Sequence, residues 1–243
     1  MRQAMIFAAG LGTRLKPLTD TMPKALVKVD GEPLLKHVIL KMRKAGIERI
    51  VVNVHHFAQQ IIDYIKKNDG FGIDIFISDE TEALLETGGG IKKALHFFDQ
   101  DSPVLIHNVD ILSNADLSLF YEQAQGSDAT LLVSERKTKR YLLFDDEMTL
   151  KGWTNIETGE LKGPSTLLSA DGLSKYAFSG IHVLSPSLFP RFSEMPDRFG
   201  IIDFYLKYCS HYQLKGYMKK DLRLMDVGKI DTLYEAEEFI KNI

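Results

Sequence analysis

The first half of the chain repeats one pattern. A short unbroken apolar run is followed by a longer stretch in which apolar residues return every three or four positions. Residues 5–9 (MIFAA) form the first run and predict a buried strand. In 32–46 (EPLLKHVILKMRKAG), Pro33 suits the first helical position. Leu34, Val38, Met42 and Ala45 share one face of that helix, and Gly46 supplies its stop. Residues 49–54 (RIVVNV) are continuous and β-branched, as in a parallel strand covered on both faces. A second helix over 57–70 ends in Asn-Asp-Gly, and IDIFIS (73–78) is a third strand. GGGIKKALHFF (88–98) predicts a helix that opens after three glycines, and PVLIHNVD (103–110) is a fourth strand. LSLFYEQAQ (117–125) and ATLLVSE (129–135) continue the alternation, which is that of an α/β protein with a largely parallel sheet.

Beyond Glu135 the pattern changes. Residues 140–155 read as two short strands joined at Asp145-Asp146-Glu147, a hairpin. KYAFSGIHVLSP (175–186) reads as a strand that rejoins the sheet, and IIDFYLKYC (201–209) as an apolar helix. LKGYMKKDLRLMDVG (214–228) reads as two short strands. The amphipathic stretch 230–243 closes the chain, suited to packing on the core or on a second copy of the chain. There is no linker rich in Pro, Gly or Ser. The second half (136–243) is therefore expected to fold against the first (1–135) as one wall of a cleft within a single domain.

In an open α/β sheet, ligands sit beyond the carboxyl ends of the strands. The stretch AMIFAAGLGTRLKPLTDTMPKAL (4–26) places a specific set of groups there. Gly10 and Gly12 remove side chains, so backbone N–H groups can approach a ligand. Thr13 adds a hydroxyl, and Arg14 and Lys24 add cations, Arg as a two-pronged grip and Lys as a point charge. Pro17 and Pro23 stiffen the segment that carries Lys24. The set suits a polyphosphate; the alternative is a glycine-rich turn with solvated charges. Two known phosphate motifs are absent. Leu15 stands where a dinucleotide fingerprint needs its third glycine, and Gly12 is followed by Thr13-Arg14 instead of Lys-Ser/Thr.

Charge localises this chemistry. Thirty Lys and Arg stand against 33 Asp and Glu, a net −3, so overall charge argues against a nucleic-acid partner and any basic site is local. The single Cys209 permits no internal disulfide, which fits a reducing, cytoplasmic setting. No apolar run approaches the ~20 residues of a membrane span, so no membrane partner is expected.

The segment AAGLGTRLKPLTDTMPKALVKV (8–29) resembles the signature of the sugar-1-phosphate nucleotidyltransferases: a strand, then G-x-G-T-R, Pro-x-T and Pro-Lys. ALLETGGGIKKAL, YAFSGIHVLSPSLF and MDVGKIDTLYEAEEF extend the likeness over nearly the whole chain. They resemble the short members that act on N-acetylmuramate 1-phosphate and UTP. The resemblance implies a Rossmann-like, mostly parallel sheet flanked by helices, with a small β-rich sugar-binding region in the second half. It implies a nucleoside triphosphate and a sugar 1-phosphate as partners. Ala8, Ala9 and Gly10 would meet base and ribose through backbone atoms. Gly12, Thr13 and Arg14 would hold the triphosphate, and Lys24 would sit at its α-phosphate. Thr87 and Gly88, in an ETGGG turn, would enclose the base, and Gly180 would give the sugar backbone access.

The resemblance also implies Mg²⁺ held by Asp110 and Asp226, a pairing that more than a hundred intervening residues conceal from sequence spacing. Mg²⁺ takes oxygen ligands, usually one or two carboxylates with phosphate and water. As a helix cap Asp110 stands too far upstream; Asn114 or Asp116 serves better. Two departures from the family stand out. Val109 occupies the usual glycine position between Asn108 and Asp110, and the Glu-Lys-Pro whose Lys meets the sugar phosphate is missing, with Lys151 and Lys162 as stand-ins. The same Lys151–Lys162 stretch is the nearest source of a cation for the carboxylate of muramate. His55 and His56 are expected on the surface or substrate wall. Trp153 is expected either to stack on a ligand or to join the hairpin core. The alternatives within the family are mannose 1-phosphate with GTP, and glucose 1-phosphate with dTTP or UTP. From another class, the alternative is a non-catalytic nucleotide-sugar-binding subunit, which has no need of both carboxylates.

Overall fold

The computed structural model describes residues 1–243. The first half runs β1 (Gln3–Phe7), β2 (Lys28–Val29), β3 (Glu32–Pro33), α1 (Leu34–Lys44), β4 (Arg49–Val54), α2 (Ala58–Lys67), β5 (Asp74–Asp79), α3 (Glu86–Ala94), β6 (Val104–Asn108), β7 (Ile111–Ser113), α4 (Leu117–Gln123) and β8 (Ala129–Ser134). The second half runs β9 (Arg140–Phe144), β10 (Leu150–Asn155), β11 (Glu160–Lys162), β12 (Ser174–Leu184), α5 (Ile201–Tyr208), β13 (Leu214–Met218), β14 (Leu224–Asp226) and α6 (Asp231–Lys241).

β6, β1, β4 and β5 lie side by side and parallel, with β1 at the centre. β12 joins antiparallel beside β6, and β8 and β13 continue beyond it. The unbroken apolar strands are explained by burial on both faces. Ala4, Ile6, Ile50 and Val52 face one core, with α1, α2, α4 and α6; Met5 and Val51 face the other, with α3 and α5. The start of β12 (Ser174–Tyr176) pairs with β9 of the hairpin layer, so one long strand carries the second half into the main sheet. α6 lays Leu233, Ala236, Phe239 and Ile240 on the first core, so its apolar stripe is used within the chain.

Local signals set the boundaries. α1 ends in a Schellman motif: Gly46 N–H donates to Arg43 O, Ile47 N–H donates to Met42 O, and Gly46 takes φ 77°. Asp116 caps α4 by accepting from the Leu119 N–H.

The ETGGG segment corrects a sequence expectation. α3 begins at Glu86, so Thr87 and the three glycines lie inside the helix and form no turn. Packing overrides the low helical propensity of glycine here. A Cβ at Gly89 would stand 2.2 Å from the Asp197 carbonyl oxygen, and one at Gly88 2.2 Å from the Phe199 ring. The close approach lets Gly88 and Gly89 N–H groups donate to Phe199 O, at 2.9 and 3.2 Å. Gly89→Ala is therefore expected to raise helix propensity and still lower unfolding free energy by about 1–3 kcal/mol, the cost of overpacking. Urea denaturation checks this; an unchanged or higher midpoint refutes the packing account.

Candidate functional site

The carboxyl ends of β1, β4, β5 and β6 open into a cleft of about 600 Å3. Of the residues singled out in the sequence, Ala8, Ala9, Gly10, Gly12, Thr13, Arg14, Lys24, Thr87 and Asp110 line it. The loop after β1 is compact. Gly12, at φ 64°, accepts from Leu15 N–H and Thr19 Oγ at 2.8 and 2.9 Å, and its bare Cα packs on Thr19 and the Lys24 stem. The Ala8 N–H is taken by Asn53 Oδ1 at 2.8 Å. The next donors differ: the N–H groups of Gly10, Leu11, Gly12 and Thr13 make no hydrogen bond within the chain. Nothing lies within 4 Å of where a Gly10 Cβ would stand. Free successive N–H groups of this kind form an anion-binding concavity.

Lys24 is buried, and its ammonium bonds Asp110. Asp110 follows β6, where Val109 is buried and donates its N–H to Phe7 O. The Val at the family's glycine position is thus part of the strand pairing. The small β7–β14 ribbon solves the problem of sequence distance. It sets Asp226 opposite Ile111, one residue from Asp110, and Val227 N–H donates to Asp110 O at 2.8 Å. The Arg14 guanidinium reaches the same point: a Cβ at Gly228 would lie 2.7 Å from it and 2.6 Å from Asp226 Oδ1. The Asp226 carboxyl is held above the ordinary carboxylate range by removal of water from its surroundings and by the Asp110 charge; Lys24, Arg14 and Arg136 oppose this. Asp110 lines the cleft, while Asp226 is exposed at its edge and outside the lining; the two carboxylates, bordered by cations, are hard oxygen donors of the kind a divalent cation takes.

The other expected residues are placed differently. Gly88 is beneath Phe199 and outside the lining. Thr87 lines the cleft, but its hydroxyl also accepts from Ile201 N–H and ties α3 to α5. Gly180 is buried at φ 73°, and a Cβ there would meet Asn108 Nδ2 at 2.7 Å, so its small size serves β12–β6 packing. Lys151 pairs with Asp145 at 2.9 Å, and Lys162 lies over Trp153; neither lines the cleft. His55 bonds Glu80 O and the His56 ring lies tilted against that of Phe57.

Two lining residues carry no sequence motif. Asn53 Nδ2 donates to Glu80 Oε1 at 2.7 Å, and Leu85 N–H donates to Oε2 at 3.2 Å. Burial pushes the Glu80 carboxyl above its ordinary range despite these bonds. The chain Ala8–Asn53–Glu80–Leu85 thus joins the glycine loop to the start of α3. The available signal is Asn53 itself, a polar residue in the apolar run RIVVNV, which burial obliges to find partners.

Comparison with known proteins agrees with this geometry. The nucleotidyl transferase family model matches residues 3–145. The N-acetylmuramate alpha-1-phosphate uridylyltransferase of Caulobacter vibrioides is 33% identical over 196 residues, 76% of this chain and 76% of that protein. The protein of the same name from Neisseria meningitidis serogroup B is 38% identical over 122 residues, 50% of this chain and 52% of that one. Among solved structures, HddC from Yersinia pseudotuberculosis, complexed with GMP-PN, superposes with a TM-score of 0.78 at 25% identity, covering 98% of this chain and 99% of that one. No helix is long and apolar enough to cross a membrane.

Proposed function

We propose, on the premise that the chain belongs to the nucleotidyl transferase family of sugar-1-phosphate nucleotidyltransferases, that it joins UTP to N-acetylmuramate 1-phosphate. A phosphate oxygen of the sugar 1-phosphate attacks the α-phosphorus. A new P–O bond forms, the bond to the bridging oxygen breaks, and pyrophosphate leaves with that electron pair. The attacking oxygen is already ionised, so no protein nucleophile is needed and catalysis is positioning and charge neutralisation. The observation that carries this reading is the run of unpartnered N–H groups, Gly10 to Thr13, beside the Lys24–Asp110 pair and Asp226. In this reading those N–H groups and Arg14 hold the triphosphate. Lys24, poised by Asp110, reaches the α-phosphate. Asp110 and Asp226 would hold Mg²⁺, which when bound supplies further neutralisation of phosphoryl charge. One cation ~4 Å from phosphate charge is worth about 4 kcal/mol at an effective dielectric near 20, so a few suffice to lower the barrier substantially.

Likeness to the Caulobacter and Neisseria proteins supports muramate and UTP. Likeness over the whole chain to HddC, whose structure holds GMP-PN, favours a guanine nucleotide as the second reading. Pyrophosphate release from ATP, CTP, GTP and UTP, each with N-acetylmuramate, N-acetylglucosamine, glucose and mannose 1-phosphates, decides. The highest kcat/KM is expected for UTP with N-acetylmuramate 1-phosphate. GTP with mannose 1-phosphate as the best pair would overturn the substrates and leave the reaction class. No release from any pair would leave a nucleotide-sugar-binding protein.

A further inference from the structure

A second pocket, of about 480 Å3, opens beside the nucleotide cleft. Gly200, just before α5, borders the cleft, while Asp203 and Leu206 on α5 border this pocket. Its opposite wall is the β9–β10–β11 layer, with Trp153 facing it.

The pocket's charges are unbalanced in a specific way. Lys162 stands 5.1 Å from the centroid of the Trp153 ring and 3.4 Å from Glu160 Oε1, so the acid of this wall is already paired; Asp203 on the opposite wall is the pocket's other carboxylate and makes no ion pair, which leaves the three cations in excess of the two acids. Two arginines have no carboxylate partner. Arg136 donates once, from NH2 to Phe178 O at 3.0 Å, which fixes its head and leaves most of its fork unused. The Arg140 guanidinium makes no hydrogen bond and no ion pair, although it lines the same pocket. A scattered exposed arginine is ordinary. Two that converge with Lys162 on a concave wall, beside an aromatic ring, are a grip suited to a carboxylate on a ring-shaped ligand.

We propose that this pocket recognises a carboxylate carried by the acceptor sugar, with Arg136 and Arg140 as its specificity-determining residues and Trp153 as the platform for the ring. The proposal rests on reading the cleft as a nucleotidyltransferase site, in which the sugar extends from the attacked phosphate away from the nucleotide. It transfers the role expected of the Lys151–Lys162 stretch to the arginines. Lys151 pairs with Asp145 and lines a different pocket, while Lys162 stays as a neighbour. The carboxylate has two chemical sources, an ether-linked lactyl group or the C6 acid of a uronate.

The test uses matched sugar phosphates: N-acetylmuramate against N-acetylglucosamine 1-phosphate, and glucuronate against glucose 1-phosphate. For the wild type, at least one acidic member is expected to exceed its neutral counterpart in kcat/KM by about tenfold or more, and which pair does so identifies the source. Arg140→Gln and Arg136→Gln should each shrink that ratio several-fold, whereas Lys151→Gln leaves it unchanged. Equal use of acidic and neutral sugars by the wild type overturns the proposal. So does equal loss on both in the arginine variants, which would make the arginines ligands of the shared phosphate. Calorimetric binding of the same pairs gives the ratio without turnover. Absence of pyrophosphate release from every sugar phosphate would thus fail the catalytic reading, while the binding ratio still judges the pocket.

Discussion

Asp110→Asn and Asp226→Asn are each expected to cut the rate of pyrophosphate release at least ~100-fold, the scale for losing one electrostatic stabiliser. Their effects on stability should differ. Asp110 is partnered by buried Lys24, and an Asn at that position still offers Lys24 an acceptor. The fold persists at a cost of about 1–2 kcal/mol, for a charge-assisted bond made neutral. Asp226 is held above the ordinary carboxylate range, so its charge opposes folding; the Asn variant should be as stable as the wild type or slightly more so. A variant that loses activity without losing stability marks a group retained for chemistry. EDTA should abolish activity in the wild type, and Mg²⁺ should restore it. Turnover above a tenth of wild type in either variant, or full turnover in EDTA, would remove the carboxylate pair from the reaction.

The strands at the heart of the site were legible because sheets buried on both faces need uninterrupted apolar runs, as in RIVVNV. Such runs also leave the loops at their ends as the places where polar chemistry stands out. Gly12, Arg14 and Lys24 stand out in this way, and Asp110 ends such a run, its role supplied by the resemblance. Long-range pairing was not legible. Nothing in the local sequence says that β14 lies beside β7, and that register alone brings Asp226 to Asp110. Resemblance supplied the partner that spacing could not. The ETGGG segment misled because glycine was read through backbone propensity. Its glycines answer to the 197–199 segment, more than a hundred residues away, which presses on α3 where a Cβ would stand. The Lys151–Lys162 stretch is divided by the fold in a related way. Strand alternation and a salt bridge to Asp145 commit Lys151 elsewhere, while Lys162 lines a pocket with Arg136 and Arg140, which belong to no sequence motif.

Acid is expected to destabilise the fold before its carboxylates titrate, through two histidines buried on adjacent strands. His107 on β6 and His182 on β12 are fully enclosed, and by alternation they point to opposite faces of the sheet, with Leu105 and Leu184 respectively. His107 donates from Nδ1 to its neighbour's carbonyl, Asn108 O, and its Nε2 has no partner. His182 Nδ1 and the Tyr205 hydroxyl are 2.5 Å apart, inside the apolar core around α5. Burial favours the neutral ring in each, pushing His107 down to about 4 and His182 to about 3. In the unfolded chain both return to about 6.5, so below that pH the unfolded state binds protons that the folded state refuses. Their contribution is therefore fully present above pH 6.5 and is lost as pH falls toward 4. At pH 5 each histidine has forfeited about 2 kcal/mol, roughly 4 together, from 1.36 kcal/mol per pH unit over about 1.5 units. Urea unfolding at pH 7.5, 6.0 and 5.0 measures the slope. His182→Gln, which keeps a polar partner for Tyr205 and does not titrate, should remove about half of it. The same slope in wild type and variant would show that His182 is not the group that acid attacks.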